Sequence, residues 1–276
     1  MRTFLNTAAT AQLGQRLIDR AHLEAIVRAA GQIALNRWPG HGHTLDSWDK
    51  QPGDPVSVAD LEVDGFLKQE LGALLPSAGW LSEETIDAPE RLDADLIWLV
   101  DPIDGTRDFI RGRPGWSVSV ALVSAGRPLL GILDAPARGE FWSAEAGRGA
   151  WRNGTPLAAS ARTELAGARV PAHTLPKSDI DLTLVDQPNS IALRIAMVAA
   201  DEADLVATVR WGYEWDVGAA TLIAREAGAA VSDAFGQPLG FNKQDPRAFG
   251  VLVCAPAIHA AAVDRLAARA RELSGI

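Results

Sequence analysis

The segment Trp98-Leu-Val-Asp-Pro-Ile-Asp-Gly-Thr106 constrains this chain more than any other. Its apolar lead, Leu96 to Val100, reads as a buried strand that ends in two carboxylates, Asp101 and Asp104. Two acids at the end of a buried strand repel each other and lose hydration unless something positive lies between them. A divalent cation is the usual solution, and oxygen-only ligands favour Mg²⁺, Mn²⁺ or Ca²⁺ over softer metals. Gly105 and Thr106 follow, offering free backbone N–H groups of the kind that hold a phosphate. Metal beside phosphate is the reading. The alternative is a polar turn in which the two acids only cap backbone groups.

Phosphatases with an aspartyl nucleophile use similar letters, D-x-D-G-T, with the acids two positions apart. Here the acids are three apart, so a regular strand would not present both on one face. That spacing disfavours a phospho-aspartate and points to an activated water. Further acids support the metal. Glu83 and Glu84 follow a short apolar stretch in Trp80-Leu-Ser-Glu-Glu-Thr85. Asp60 opens a helical pattern with Leu61, Val63, Phe66, Leu67 and Leu71 as apolar positions. Downstream, Tyr213-Glu-Trp-Asp-Val217 leads into an Ala-rich helical segment expected to end at Gly228, with Asp216 as its N-cap. Taken singly, Asp60 and Asp216 read as helix caps, where Asp is favoured. The clusters together read as a metal site.

On these residues the chain resembles the inositol monophosphatase family, Mg²⁺-dependent, Li⁺-sensitive phosphatases that include the 3′(2′),5′-bisphosphate nucleotidases. The resemblance runs from about Val56 to about Val231. Its signatures are W-L-V-D-P-I-D-G-T at 98–106 and W-D-V-G-A-A at 215–220, with the family's Glu-Glu element at Ser82-Glu83-Glu84-Thr85 and its helix-initiating acid at Asp60. The resemblance implies a layered α/β/α/β/α sandwich, where element spacing alone implies only mixed α and β. It implies two or three Mg²⁺ ions, with Mn²⁺ able to substitute. Glu83, Asp101 and the carbonyl of Ile103 would hold the ion that activates water. Asp101, Asp104 and Asp216 would hold a second ion near the leaving oxygen. Thr106 and Asp60 would form a dyad that, with Glu83, orients and deprotonates the attacking water. The N–H groups of Gly105 and Thr106 would bind phosphate. Lys50 reads first as a solvated loop lysine, with approach to the site on closure as the alternative. Family members are often homodimers.

Composition agrees. The 276 residues are 47% hydrophobic and 22% charged, those of an ordinary soluble protein with ample core. A formal net charge of −9 argues against binding a nucleic acid polymer. The apolar runs are too short to span a membrane, and no secretory signal is apparent, so a cytoplasmic location is expected. The single cysteine, Cys254, sits in an apolar run and reads as buried and inert. Helical spacing covers about Arg20 to Trp38 and 190–200. Strands are expected over 116–123, 129–134 and 205–209, with turns at Ala125-Gly126 and Asn153-Gly154. His41 and His43 fall in a polar loop with no third ligand nearby. The chain is expected to divide into an N-terminal α+β domain, 1–158, carrying most metal ligands, and a C-terminal α/β domain, 159–276, carrying Asp216 and the substrate-side residues.

The substrate would be a small phosphorylated metabolite. The Arg107-Asp108 pair, the Ser190-Ile-Ala-Leu-Arg194 element and Glu214 before the Trp-Asp pair are similar to the bisphosphate nucleotidase branch. Ser190, Arg194 and Glu214 are accordingly the expected substrate-binding residues, Arg194 as a bidentate donor to a second phosphate. The Gly147–Gly154 segment is similar instead to the inositol monophosphatase branch, and 168–188 lacks the Ser-Arg-Ser-His element expected of a nucleotidase, offering only His173 and Lys177-Ser178. The first reading is hydrolysis of 3′,5′-bisphosphoadenosine to AMP and phosphate. Inositol 1-phosphate, then histidinol phosphate or fructose 1,6-bisphosphate, are the alternatives. A catalytically silent phospholigand-binding protein is the non-enzymatic one.

Overall fold

The computed structural model describes residues 18–42 and 44–274, so His43 lies outside the described residues. Helix α1 (Arg20–Arg37) is capped by the Asp19 carboxylate, which accepts from the N–H groups of Ala21 and His22. It buries Leu23, Ile26, Val27, Ala30 and Ala34, the stripe its spacing implies. A hairpin of β1 (Ser47–Gln51) and β2 (Asp54–Ser57) runs directly into α2 (Val58–Leu74). Then come β3 (Gly79–Ser82), β4 (Leu96–Asp104), the one-turn helix α3 (Thr106–Ile110), β5 (Ser117–Ser124), β6 (Arg127–Ala135), β7 (Glu140–Glu145), β8 (Gly149–Arg152) and β9 (Thr155–Pro156). Strands β3 to β9 form one sheet in sequence order, parallel only between β3 and β4. Its turns at Ala125-Gly126 and Asn153-Gly154 fall where the sequence puts them, all four residues at positive φ.

The remaining chain supplies a short parallel pair, β10 (Arg169–Pro171) and β11 (Thr183–Val185), then α4 (Ile191–Ala199), β12 (Leu205–Tyr213), α5 (Glu214–Glu226), β13 (Ala230–Ser232), β14 (Arg247–Cys254) and α6 (His259–Ser274). Strands β12, β14 and β13 form an antiparallel three-stranded sheet in that order. Cys254 is buried on β14, where burial pushes its thiol up to about 12.

Side-chain alternation on the large sheet produces the layers. Trp98, Val100, Val118, Val120 and Leu122 join the core made by α1 and α2. Ile97, Leu99, Ala121 and Val123 join the core made by α4 and α5, which also takes Val206, Val251 and Val253 from the small sheet. The far face of that sheet, Leu205, Leu252 and Cys254, packs on Ala262 and Leu266 of α6. The order is therefore α/β/α/β/α. The core between α4, α5 and the large sheet contains residues from both sides of position 158.

One departure in β4 positions the site. Asp101 pairs with Ser119 and Asp104 with Ser117, so three steps on β4 match two on β5. This extra residue is a β-bulge. It turns Ile103 into the α1/α2 core beside Val100 and returns Asp104 to the face of Asp101. The expectation that three-residue spacing would separate the two acids is thereby corrected: it holds for a regular strand, and this strand is not regular.

Candidate active site

Immediately after the bulge, Gly105 adopts φ 98, a left-handed conformation. A Cβ there would lie 2.7 Å from the Gly115 carbonyl oxygen and 2.9 Å from the Ser190 nitrogen. Glycine alone permits both the dihedral and the close approach. The sharp turn starts α3 at Thr106 and leaves Asp104 facing the start of α4. There the Asp104 carboxylate accepts from Ser190 Oγ at 2.5 Å, Ala192 N–H at 2.7 Å and Ile191 N–H at 3.3 Å. Burial raises its pKa to about 6, against the lowering pull of these donors and of Arg194.

Asp60 reaches the same place from α2. Ser57 caps this helix, and Asp60 sits at its third position, completing a capping box. Its Oδ2 accepts from Ser57 N–H at 2.8 Å and Ser57 Oγ at 2.6 Å. Oδ1 is 3.4 Å from Thr106 Oγ1, whose hydroxyl is also 3.0 Å from the Ile103 carbonyl. Burial, aided by the charge of Glu83, lifts the Asp60 carboxyl to about 6. The Asp60–Thr106 pair expected from the resemblance is thus brought together.

Glu83 and Glu84 leave the end of β3, and Lys50 on the β1–β2 hairpin bridges them at 2.9 Å each. Burial opposes the lysine's charge, but attraction to Glu83 and hydrogen bonds to both glutamates hold its pKa above the ordinary value. The reading of Lys50 as a solvated lysine is corrected. The Glu84 side chain is 3% exposed, and its pKa is raised to about 7, first by burial. Arg107 Nη2 donates to the Gly53 carbonyl at 2.5 Å, tying α3 to the tip of the same hairpin.

Asp216 is not the N-cap expected of it. Helix α5 starts two residues earlier, and Asp216, at its third position, accepts from the Tyr213 N–H at 2.9 Å. Burial and the nearby Asp104 raise its pKa to about 8. Asp101 is raised well above the ordinary range by burial, then by Glu83, Asp104 and Asp216. Its Oδ1 accepts from the Ile103 N–H at 3.1 Å.

The expected substrate residues divide. Glu214 is fully buried, and its carboxylate accepts from the N–H groups of Asn242 and Lys243, at 2.5 and 3.1 Å. It anchors a loop and does not line the cleft. Ser190 is also fully buried and serves Asp104. Arg194 does line the cleft, with Nε and Nη2 fixed on the carbonyls of Ser190 and Asn189. An ion pair of Arg194 with Asp201 or Glu202, the ordinary surface alternative, does not form: those acids pair with Arg169 and Arg152. Asp108 accepts from the Asn189 N–H at 3.0 Å, a loop contact.

These groups surround a cleft of about 540 Å³ with an adjoining recess of about 180 Å³. Glu83, Asp216, Arg107 and Arg210 line both parts, Asp101, Asp104 and Arg194 the recess. Trp211 and Tyr213 form an exposed aromatic wall, Tyr213 stacked on Trp215 with centroids 4.4 Å apart. The sequence does not mark Arg210, Trp211 and Tyr213, because strand alternation alone does not say which end of β12 borders the cleft.

Among the described residues, no group of three or more His, Cys, Asp or Glu is gathered tightly enough to hold a metal ion as it stands. The donor chemistry nevertheless fits one. Asp101, Asp104, Asp216 and Glu83 are oxygen donors, and after burial the charges of Glu83 and Asp104 raise the pKa of both Asp101 and Asp216, a repulsion that a hard divalent cation would relieve. No described helix is long and apolar enough to cross a membrane.

A family model described as the inositol monophosphatase family matches residues 17–274. An inositol-1-monophosphatase of Mesorhizobium japonicum is 34% identical over 238 residues, covering 78% of this chain and 86% of its own. A 3′(2′),5′-bisphosphate nucleotidase CysQ of Escherichia coli K12 is 30% identical over 231 residues, covering 80% of this chain and 92% of its own. Among solved structures, the Thermotoga maritima IMPase superposes with a TM-score of 0.78 at 27% identity, covering 90% of this chain and 96% of that one.

Proposed function

The chain belongs to the inositol monophosphatase family and is an enzyme, and on that premise we propose that it is a Mg²⁺-dependent phosphomonoesterase that hydrolyses a small phosphorylated metabolite without a covalent intermediate. The observation that carries this reading is the convergence of five elements, β3, β4, α2, α3 and α5, on one cleft, each bringing a carboxylate or hydroxyl of the set Glu83, Asp101, Asp104, Asp60, Thr106 and Asp216.

Asp101, Asp104 and Asp216, with Glu83 and the Ile103 carbonyl, would hold the metal. When bound, it would supply charge neutralisation of the phosphoryl oxygens and a water acidic enough to attack near neutral pH. Phosphate monoesters are among the slowest substrates to hydrolyse unaided, with accelerations up to about 10²¹-fold, so both contributions are needed. The chain's own groups do the rest. Thr106 Oγ1, placed between Asp60 and the Ile103 carbonyl, orients the attacking water and passes its proton toward Asp60. The N–H groups at the turn of Gly105 and Thr106, which line the recess, would donate to the phosphate, since the start of α3 leaves them without intrahelical partners. Ser190 and the start of α4 keep Asp104 directed into the recess.

For the substrate, inositol 1-phosphate is the first reading, supported by the 34% identity to an inositol-1-monophosphatase and by the likeness to solved IMPases. A 3′,5′-bisphosphate nucleotide is the second. It is favoured by Arg107, Arg194 and Arg210 around the cleft, which suit a second phosphate, and by the Tyr213–Trp215 stack, which suits a planar base. Phosphate release with Mg²⁺ from inositol 1-phosphate, 3′,5′-bisphosphoadenosine, histidinol phosphate and fructose 1,6-bisphosphate tests both. Release from none of the four contradicts the proposal.

A further inference from the structure

Helix α2 carries two buried acids one turn apart, Asp60 and Asp64. The first faces Thr106. The second lies about 6 Å further along the helix, at 1.5 Å per residue. One Asp64 oxygen accepts from Ser82 Oγ and the other from Thr85 Oγ1 at 2.6 Å. Ser82 and Thr85 flank Glu83 and Glu84 in the sequence. A single carboxylate thus grips both ends of the turn that carries the glutamates.

On its other side the turn is held by backbone: Ser82 pairs with Val100, and the Glu83 N–H donates to the Val100 carbonyl at 3.3 Å. Val100 is the residue before Asp101. Glu83 is therefore referenced to Asp101 through the sheet and to the Asp60–Thr106 pair through α2. Two hydroxyl donors stabilise a buried carboxylate less than a cation would, so this arrangement is a costly way merely to hold a loop.

We propose that Asp64 is a positioning residue for the reaction: through Ser82 and Thr85 it sets Glu83 at the distance from Asp101 and Thr106 that metal binding requires. It touches no substrate. The inference rests on the reading of Glu83 as a metal-holding side chain.

Calorimetric titration of the full chain with Mg²⁺ tests it, using Asp64→Asn, Thr85→Val and Glu83→Gln. Outer-layer partners of metal ligands commonly contribute about 10- to 100-fold in affinity. Asp64→Asn and Thr85→Val should each weaken Mg²⁺ binding by about tenfold. The double variant should bind no more weakly than Asp64→Asn, since Thr85 acts on Glu83 only through Asp64. A lowered melting temperature with an unchanged isotherm in both single variants would overturn the inference. If Asp64→Asn does not fold, Thr85→Val, which conserves shape, decides alone. If Glu83→Gln leaves Mg²⁺ binding intact, the ligand reading falls and the inference falls with it. If Glu83→Gln weakens binding while Asp64→Asn and Thr85→Val do not, only the inference falls.

Discussion

Asp101 and Asp104 lie three residues apart yet face the same side of the sheet, because one extra residue in β4 shifts the register between their partners Ser119 and Ser117. The bulge places both acids opposite α4 and α5, where Asp216 raises the pKa of Asp101. It also frees the Ile103 carbonyl from the ladder to meet the Thr106 hydroxyl.

The turn after the bulge has no room for a side chain. Gly105→Ala would have to place a Cβ 2.7 Å from the Gly115 oxygen while holding φ near 98. A loss of about 2 kcal/mol or more in stability is expected, with activity falling further because Thr106 moves. Urea unfolding and phosphate release on the same preparation check this. Wild-type values for both would mean that the turn is more tolerant than its geometry indicates.

Stability without metal should fall as pH rises. Asp60 and Asp104 are raised to about 6 and Asp216 to about 8, from an ordinary 3.8. A carboxyl raised on folding binds its proton more tightly in the native state. Its contribution is complete below about pH 4 and is lost as pH rises through the folded value. The metal-free melting temperature should therefore drop between about pH 5 and 8, and saturating Mg²⁺ should flatten that slope. Asp134, raised to about 7 chiefly by burial, lies against Gly31 of α1, apart from the cleft. Asp134→Asn should raise the melting temperature more at pH 8 than at pH 5.5, with or without Mg²⁺. Melting curves by circular dichroism across this range are the check.

Much of this architecture is legible in the sequence. The unbroken apolar run 96–100 marks β4 as a strand buried on both faces, and the stripe from Leu23 to Ala34 assigns the buried side of α1. The acids are legible too, because so many carboxylates beside apolar segments need a common purpose. The bulge was hidden: alternation assumes a regular pleat, and nothing in the letters of Pro102-Ile103 marks an unpaired residue. Lys50 was hidden because its partners lie more than thirty residues away, reached only through the hairpin fold. The role of Glu214 is not legible, because its position beside Trp215 says nothing about which way a residue at the first turn of α5 points; it points to Asn242 and Lys243.

Substrate choice is read through two arginines. Arg194 is fixed by two backbone carbonyls, and Arg210 lines both parts of the cleft. If the substrate bears a second phosphate, Arg194→Ala or Arg210→Ala should raise KM for 3′,5′-bisphosphoadenosine by about tenfold to a hundredfold, the worth of a charge-assisted contact at roughly 1.5–3 kcal/mol. KM for inositol 1-phosphate should change far less. Equal changes on both substrates, or none on either, would favour the inositol monophosphate reading.

The central claim is that the carboxylates around Asp101 hold the divalent ion used in catalysis. Asp101→Asn removes one charge without changing volume. The direct measurement is Mg²⁺ binding by calorimetry on the full chain and on Asp101→Asn, with phosphate release assayed at saturating Mg²⁺. The expected result is saturable binding and a raised melting temperature for the unsubstituted chain. For Asp101→Asn the fold should be intact, Mg²⁺ binding weakened and turnover lower by about a thousandfold or more, equivalent to roughly 4 kcal/mol of transition-state stabilisation. Near wild-type turnover by Asp101→Asn, or a melting curve of the unsubstituted chain that does not move across millimolar Mg²⁺, would contradict it.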